Sequence, residues 1–408
     1  MIRVAKFGGT SIGTPARLRR AARSIQKQVA KSDRLVIVVS AMGQSTDQFL
    51  GLMGALKANL SDRAMDEILS MGERLSARLV WALLDAGGVR SVFLDPSMPE
   101  WPIITDSNFR KAKVDLRRTK RMCRRYLLSL INDGCVPVIC GFLGKDREGR
   151  TTTLGRGASD RTAFLLGYCL NADEVIIVTD VEGVMSADPR VVKDARLIRS
   201  INFEELWDLS VGGAQVLEWK ALGFKLPNQK AKVIHYRKGD LESGGTEIVG
   251  SSSSDLGVSL YERPVSSVTV VGERMSQVPG LLARFSEALS AAGINIVGVS
   301  TGSWSVSFFV ESDRSESAVK VLHKVISGKG PAKAVTCSER CAMITITGRK
   351  LIYTPGAIAN ALLPLGRSNL NVVEVSTSKA EITIFVNWAD RNAALRLIRD
   401  SCSKVDLS

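Results

Sequence analysis

Met1-Ile2-Arg3-Val4-Ala5-Lys6-Phe7-Gly8-Gly9-Thr10-Ser11-Ile12 opens the chain. The short apolar start, Met1 to Ala5, reads as a strand, and it runs straight into a paired-glycine turn carrying one lysine and two hydroxyls. Paired glycines let backbone N–H groups approach an anion closely. Lys6 supplies a point charge for phosphoryl oxygens, and Thr10 and Ser11 add donors. The same residues fit an ordinary strand-turn-helix corner, so the rest of the chain must decide between the two.

Outward from this corner, β-branched runs alternate with longer helical patterns up to about residue 250. Strands are expected at Arg34 to Ser40, Val136 to Cys140 and Glu174 to Asp180. Such short, continuously apolar strands suit a sheet covered on both faces. Helical spacing marks Asp66 to Leu84, Lys120 to Leu130 and Asp160 to Leu170. The pattern is that of an α/β domain over residues 1–250. Each strand ends near a polar or glycine cluster, and ligands of open α/β sheets gather outside the carboxyl ends of strands.

Composition bounds the function classes. The chain has 408 residues, 45% of them hydrophobic, enough for two or three domains with ample core. No apolar run approaches the roughly 20 residues of a membrane helix, and the start lacks a signal-like stretch. No membrane association and a cytoplasmic location are therefore expected. Seven cysteines are scattered without CxxC spacing and only two histidines occur, which argues against structural zinc or a disulfide framework. The net charge of +14 is densest at Arg117 to Arg125. Leu116, Met122 and Tyr126 with Leu127 interleave those charges, so a solvated helix face accounts for the run, and no nucleic-acid partner is expected.

Gly250 to Asp255 reads as a linker, and beyond it lies a repeat. Thr269-Val270-Val271-Gly272 corresponds to Thr345-Ile346-Thr347-Gly348, Pro279-Gly280 to Pro355-Gly356, Asn295 to Asn371, Val299-Ser300 to Val375-Ser376 and Val310 to Val386, always 76 positions apart. Each unit reads strand, Pro-Gly turn, helix, Asn-containing turn, two strands and a helix, a split βαβ plan of ferredoxin-like type. The first unit can finish with a strand near Ala332 to Cys337. The second stops too soon, and Leu256 to Tyr261 is placed to supply its missing strand.

Five clusters remain to be explained together: Lys6 to Ser11; Ser40-Ala-Met-Gly-Gln-Ser-Thr46-Asp47; Met71-Gly-Glu73-Arg-Leu-Ser76; Thr151-Thr-Thr-Leu-Gly-Arg156-Gly-Ala-Ser-Asp160; and Thr179-Asp180-Val-Glu-Gly-Val-Met185-Ser-Ala-Asp188-Pro-Arg190. In this order, followed by a tandem repeat, they closely resemble the aspartate kinases of the amino-acid kinase family. The resemblance covers essentially the whole chain. It implies an α/β amino-acid kinase-type open αβα sandwich over 1–250 and a regulatory region over 251–408. That region would hold two ferredoxin-like (βαββαβ) ACT domains, about 265–340 and 341–408, the second completed by 256–261.

The activity implied is transfer of the γ-phosphoryl group of ATP, carried with Mg2+, to the side-chain carboxylate of L-aspartate, the first step toward lysine, threonine and methionine. A carboxylate is already ionised at pH 7, so positioning and charge neutralisation carry the burden. By motif position, Lys6 would stabilise the transferring group, Gly8 and Gly9 would give backbone donors, and Asp160 would orient Lys6 or the metal-nucleotide. Ser159 and Asp160 fit helix caps equally well. Arg156 would clamp a substrate carboxylate and Glu73 the α-ammonium. Ser40, Thr46 and Ser159 match substrate positions, and Phe142 would wall the pocket. Thr179, Asp180, Met185, Asp188, Arg190 and Gln215 match the nucleotide segment, together with Thr10 and Ser11, although a surface turn explains Ala187-Asp188-Pro189 as well.

The chain departs from the family in places. Met185 stands for a tyrosine and Ala158 for a glycine. Gly213-Ala-Gln215-Val-Leu-Glu218-Trp219-Lys220 falls where the family reads Gly-Ala-Lys-Val-Leu-His-Pro-Arg, so Gln215 replaces a lysine, for which Lys220 or Lys225 would have to compensate. These changes keep two rivals open: a kinase for another amino-acid carboxylate, and a catalytically weak amino-acid-binding regulator. ACT units generally pair, which implies a homodimer or larger homo-oligomer with a lysine or threonine effector. Effector contacts would fall at Met275, Gly280 and Asn295 in one unit and at Tyr353, Asn369 and Asn371 in the other, where turn formation explains the asparagines too.

Overall fold

Val4, Ala5, Leu35 to Val39 and Val175 to Val178 are all buried. Both side-chain directions of these strands are therefore covered, the burial that parallel strands acquire with helices on each face. The computed structural model describes residues 1–408 except 32, 156, 215–216, 251–255, 328–329, 349–350, 352–355, 379 and 404–408. Two compact units emerge, Met1–Ser252 and Ser253–Ser408.

In the first unit the strands are β1 (Ile2–Phe7), β2 (Arg34–Val39), β3 (Ser91–Leu94), β4 (Val136–Cys140), β5 (Leu143–Lys145), β6 (Thr151–Thr153), β7 (Glu174–Thr179), β8 (Ser200–Asn202), β9 (Lys230–His235) and β10 (Thr246–Val249). Eight of them form one sheet in the order β3-β4-β2-β1-β7-β9-β10-β8, while β5 and β6 make a separate hairpin. From β3 to β9 every pairing is parallel. The carboxyl ends of β1, β2, β4, β7 and β9 consequently share one edge. Lys6 lies opposite Val38 on one side and Ile177 on the other.

The helices that matter for the site are α1 (Pro15–Val29), α2 (Ser45–Ala55), α3 (Asp62–Ala86), α4 (Leu116–Met122), α5 (Leu128–Asn132), α6 (Ala158–Leu170) and α7 (Phe203–Val211). α1 packs on α3, and α6 packs on β1. Thr14 caps α1, its Oγ1 accepting from the Arg17 N–H at 3.3 Å, with Pro15 at the first helical position.

The basic stretch differs from its sequence reading in phase. A π turn, Cys123–Leu127, joins α4 to α5. Thr119, Cys123, Leu127 and Ile131 form the buried face, whereas Leu116 is exposed. The wider π turn keeps residues four apart in line, which simple helical spacing does not anticipate. Arg117, Arg121, Arg124 and Arg125 all face solvent.

The second unit contains β11 (Gly257–Leu260), β12 (Val265–Gly272), α8 (Leu281–Ala291), β13 (Gly298–Thr301), β14 (Ser305–Glu311), α9 (Ser315–Ile326), β15 (Ala332–Cys337), β16 (Cys341–Thr347), α10 (Ala357–Arg367), β17 (Val372–Thr377), β18 (Glu381–Asn387) and α11 (Arg391–Ser403). Its sheet runs β13-β14-β12-β16-β18-β17, with β15 beside β12 and β11 beside β16. Each half thus has four strands and two helices, the ferredoxin-like plan. Each half also has its own core. Val268, Phe285, Phe308 and Leu322 centre one, and Ile344, Leu365, Ile384 and Ile398 the other. Among the described residues no helix is long and apolar enough to cross a membrane, and all seven cysteines are free thiols.

Candidate active site

Lys6 is the next-to-last residue of β1, its Nζ 2.6 Å from Asp160 Oδ1 and the two side chains only 11% and 12% exposed. Asp160 sits in the first turn of α6, whose N-cap is Gly157 in the left-handed conformation without any side-chain cap. Ser159 and Asp160 are therefore not capping residues. The Asp160 carboxylate is directed to Lys6 and, through Oδ2, to the main-chain N–H of Glu218 at 3.3 Å.

The glycine turn is divided in its duties. The Gly8 N–H donates to the Val178 carbonyl at 2.9 Å, and the Ser11 hydroxyl donates to the same oxygen at 3.1 Å. Both groups expected to face a ligand are thus consumed in tying the turn to β7. The Gly9 and Thr10 amides meet no acceptor among the described residues. Gly9 is required on steric grounds, because a Cβ there would lie 2.3 Å from the Ala41 carbonyl oxygen.

Beside this turn, Glu73 on α3 is 3% exposed. Its Oε1 accepts from the Ala41 N–H at 3.1 Å, while Oε2 has no partner among the described residues. Burial pushes its carboxyl up to about 7, against the backbone N–H groups of Ala41 and of Glu73 itself, which favour the ionised form. A carboxylate so placed is half-satisfied, and a cation would complete it. Ser40, next to Ala41, is half-buried with its N–H on the Phe7 carbonyl at 3.1 Å, and Thr46 is half-buried in the first turn of α2.

Phe142 follows β4 with φ 66°, a strained conformation for a bulky side chain. Its N–H donates to Thr162 Oγ1 at 3.1 Å, and its carbonyl accepts from the Leu154 N–H at 2.9 Å. Ser159 is packed against Gly141, where a Cβ would come within 2.7 Å of the Ser159 hydroxyl. Sequence reading missed Asp66. Buried on α3, it takes the N–H of Thr153 (2.8 Å), the Thr153 hydroxyl (2.8 Å) and the N–H of Arg110 (2.9 Å). It therefore pins the end of β6, from which the chain runs to 156. Asp66 lies before the cluster that drew attention in α3, and only the tertiary fold brings it to Thr153. Arg156 and Gln215 lie outside the described residues.

The nucleotide candidates are more open. Thr179 and Asp180 follow β7, the hydroxyl of one donating to the carboxylate of the other at 3.3 Å. Met185 is half-buried. Asp188 and Arg190 pair with each other at 2.8 Å on an exposed turn, with the Asp188 carboxyl held below its ordinary range by Arg190. Lys225 is unsuited to replace a missing cation, because its ammonium is buried on the carbonyls of Gly250 and Leu226. Lys220 remains exposed, 5.3 Å from the Trp219 ring.

In the second unit, Met275 is 2% exposed and belongs to the core of the first half, which removes its side chain from a ligand-facing wall. Gly280 and Asn369 adopt left-handed conformations, with φ of 77° and 55°, as turn residues do. Asn295 and Asn371 are exposed, and Tyr353 lies outside the described residues.

Comparison with known proteins agrees with this architecture. Residues 1–233 match the amino acid kinase family, and residues 268–326 match an ACT domain. The aspartokinase of Geobacillus stearothermophilus is 32% identical over 399 residues, covering 94% of this chain and 93% of that one. That of Helicobacter pylori is 30% identical over 98% of both chains. Among solved structures, aspartate kinase from Synechocystis superposes with a TM-score of 0.75 at 26% identity, over 100% of this chain and 70% of that one. With a lysine near the end of its first strand, its glycine turn and its paired ferredoxin-like halves, the chain belongs to the aspartokinases of the amino acid kinase family.

Proposed function

We infer that this chain is an ATP-dependent aspartate kinase. A side-chain carboxylate oxygen of L-aspartate attacks the γ-phosphorus of ATP, the bond to the β–γ bridging oxygen breaks, and ADP leaves with that electron pair. The product is 4-phospho-L-aspartate. The observation that carries the reading is the Lys6–Asp160 pair beside a half-satisfied, buried Glu73. One group suits a phosphoryl oxygen, the other an ammonium, and both stand at the same edge of the sheet.

Lys6 neutralises charge on the transferring group while Asp160 fixes its direction. The Gly9 and Thr10 amides receive phosphate oxygens, and glycine at position 9 lets the turn lie against the Ala41 carbonyl, where a Cβ would not fit. Glu73 takes the α-ammonium, with Ser40, Thr46, Phe142 and Ser159 lining the amino-acid pocket and Arg156 clamping a carboxylate. Thr179, Asp180, Met185, Asp188, Arg190 and Gln215 form the nucleotide side. Among the described residues no group of three acidic, histidine or cysteine side chains could hold a metal. Mg2+ would enter with the ATP phosphates, as this cation usually does. The cytoplasm supplies ATP, and feedback by lysine or threonine at the ACT region of a homo-oligomer completes the reading.

Trapping the acyl phosphate with hydroxylamine tests it. Aspartate- and ATP-dependent hydroxamate is expected, and its absence across a range of pH and divalent cations would overturn the assignment.

A further inference from the structure

Arg161 follows Asp160 in the first turn of α6, and its guanidinium grips Glu218 from 57 residues away. Nη2 lies 2.6 Å from Glu218 Oε1 and Nε 3.2 Å from Oε2, while Nη1 donates to the Leu154 carbonyl at 3.0 Å. The two side chains are only 14% and 15% exposed. A two-pronged pair mostly out of water holds its geometry, which an exposed single contact does not. A Cβ on Gly157 would stand 3.5 Å from Glu218 Cγ, so this side chain also lies against the turn that begins α6. The fork thereby fastens three pieces together: the chain just after β6, the start of α6 and the segment after α7.

At the centre of those pieces is Asp160. The main-chain N–H of Glu218 takes Asp160 Oδ2, and Lys6 takes Oδ1. A carboxylate bonded through only one oxygen turns freely about its last torsion, which has broad wells. Bonded through both, it has a fixed plane, and so does the direction in which Lys6 is held.

On the aspartate kinase reading, we propose that Arg161 and Glu218 are positioning residues for phosphoryl transfer. Their ion pair keeps the Glu218 amide on Asp160 and so keeps Lys6 aimed at the transferring group. Neither side chain touches a reacting atom. Their contribution is preorganisation, which appears in kcat rather than in substrate affinity.

The test is steady-state kinetics of the full chain with ATP and aspartate for Arg161→Met, Glu218→Ala, the double variant and each change on an Asp160→Asn background. Each single variant is expected to lower kcat about 10- to 100-fold, with both KM values within about threefold of wild type. The double variant should be no slower than the worse single one, and Arg161→Met should add nothing to the residual rate of Asp160→Asn. Folded single variants with kcat within about twofold of wild type overturn the proposal. So does a full multiplicative loss on the Asp160→Asn background, the mark of a merely structural role. Should Arg161→Met fail to fold, Arg161→Lys keeps the charge without the fork, and the same thresholds apply. An inactive wild-type enzyme brings down the kinase reading and this one together. An active wild type with indifferent variants removes only the positioning role.

Discussion

Strand β1 carries one cation near each end, and the two ends are finished differently. At the amino end, Arg3 is ion-paired with Asp33, with Glu174 at 2.9 Å and with Glu242 at 3.4 Å. Lys232 joins Glu174 at 3.1 Å, and Lys31 joins Glu242 at 2.5 Å. The amino group of Met1 adds a fourth cation 3.6 Å from Asp33, so each of the three carboxylates is answered within the cluster. At the carboxyl end, Lys6 has Asp160, while Glu73 keeps one oxygen without a partner and the Gly9 and Thr10 amides meet no acceptor among the described residues. A closed charge cluster serves the fold. One with groups left over serves a ligand, and the difference separates two cation-bearing ends of one strand that composition alone treats alike.

The comparison breaks if either end behaves like the other. The largest effect is expected at Arg3, where Arg3→Met takes the shared guanidinium away from the buried carboxylates Asp33 and Glu174 and costs about 3–5 kcal/mol of stability. Chemical denaturation reads that loss, and kcat per folded molecule should stay unchanged. Lys6→Met should do the reverse, with a kcat lowered about 10²- to 10³-fold and a denaturation midpoint close to wild type. A collapse in stability there would return Lys6 to the fold.

Glu73 sharpens the contrast through pH. Its carboxyl stands at about 7 in the folded chain, above its ordinary value of 4.5, so between these values the folded state holds a proton that the unfolded state has released. Stability is therefore full below pH 4.5 and declines as pH rises through 7, by on the order of 3 kcal/mol. Glu73→Gln should lack this decline, and thermal unfolding from pH 5 to pH 8 compares the two. Aspartate binding should show the opposite slope, because the substrate ammonium favours ionised Glu73. KM for aspartate is expected to fall as pH rises through 7 in the wild type and to stay high and flat in Glu73→Gln. The smallest effect belongs to Gly9→Ala, where the Ala41 carbonyl must move, at about 1–3 kcal/mol. Here KM for ATP should rise more than KM for aspartate.

Much of the fold was legible because its signals are local or periodic. Continuous apolar runs marked β2, β4 and β7 to within a residue, and the constant 76-residue offset predicted paired halves that recur as β12 with β16, α8 with α10, β14 with β18 and α9 with α11. The candidate site was legible as residue types and much less as geometry. Gly8 and Ser11 read as ligand donors, yet both bond Val178, whose strand lies about 170 positions on. Asp66 and Arg161 were invisible for the same reason, since their partners are remote in sequence. Glu218 was visible only as a departure from pattern. Its partnership with Arg161 turns that departure into a specific interaction.

β11 lies before the first ferredoxin-like half but pairs with β16 in the second, Val258 opposite Ile346 and Leu260 opposite Ile344. Ribosomal synthesis gives that pairing a clock. At about 5–20 residues per second, the first half can close once Cys337 has emerged, whereas β11 waits roughly 5–20 s for its partner strand to be made. During that interval Val258 and Leu260 must stay clear of other strands. The second half therefore completes after the first, and it is the one more exposed to mispairing between nascent copies on neighbouring ribosomes.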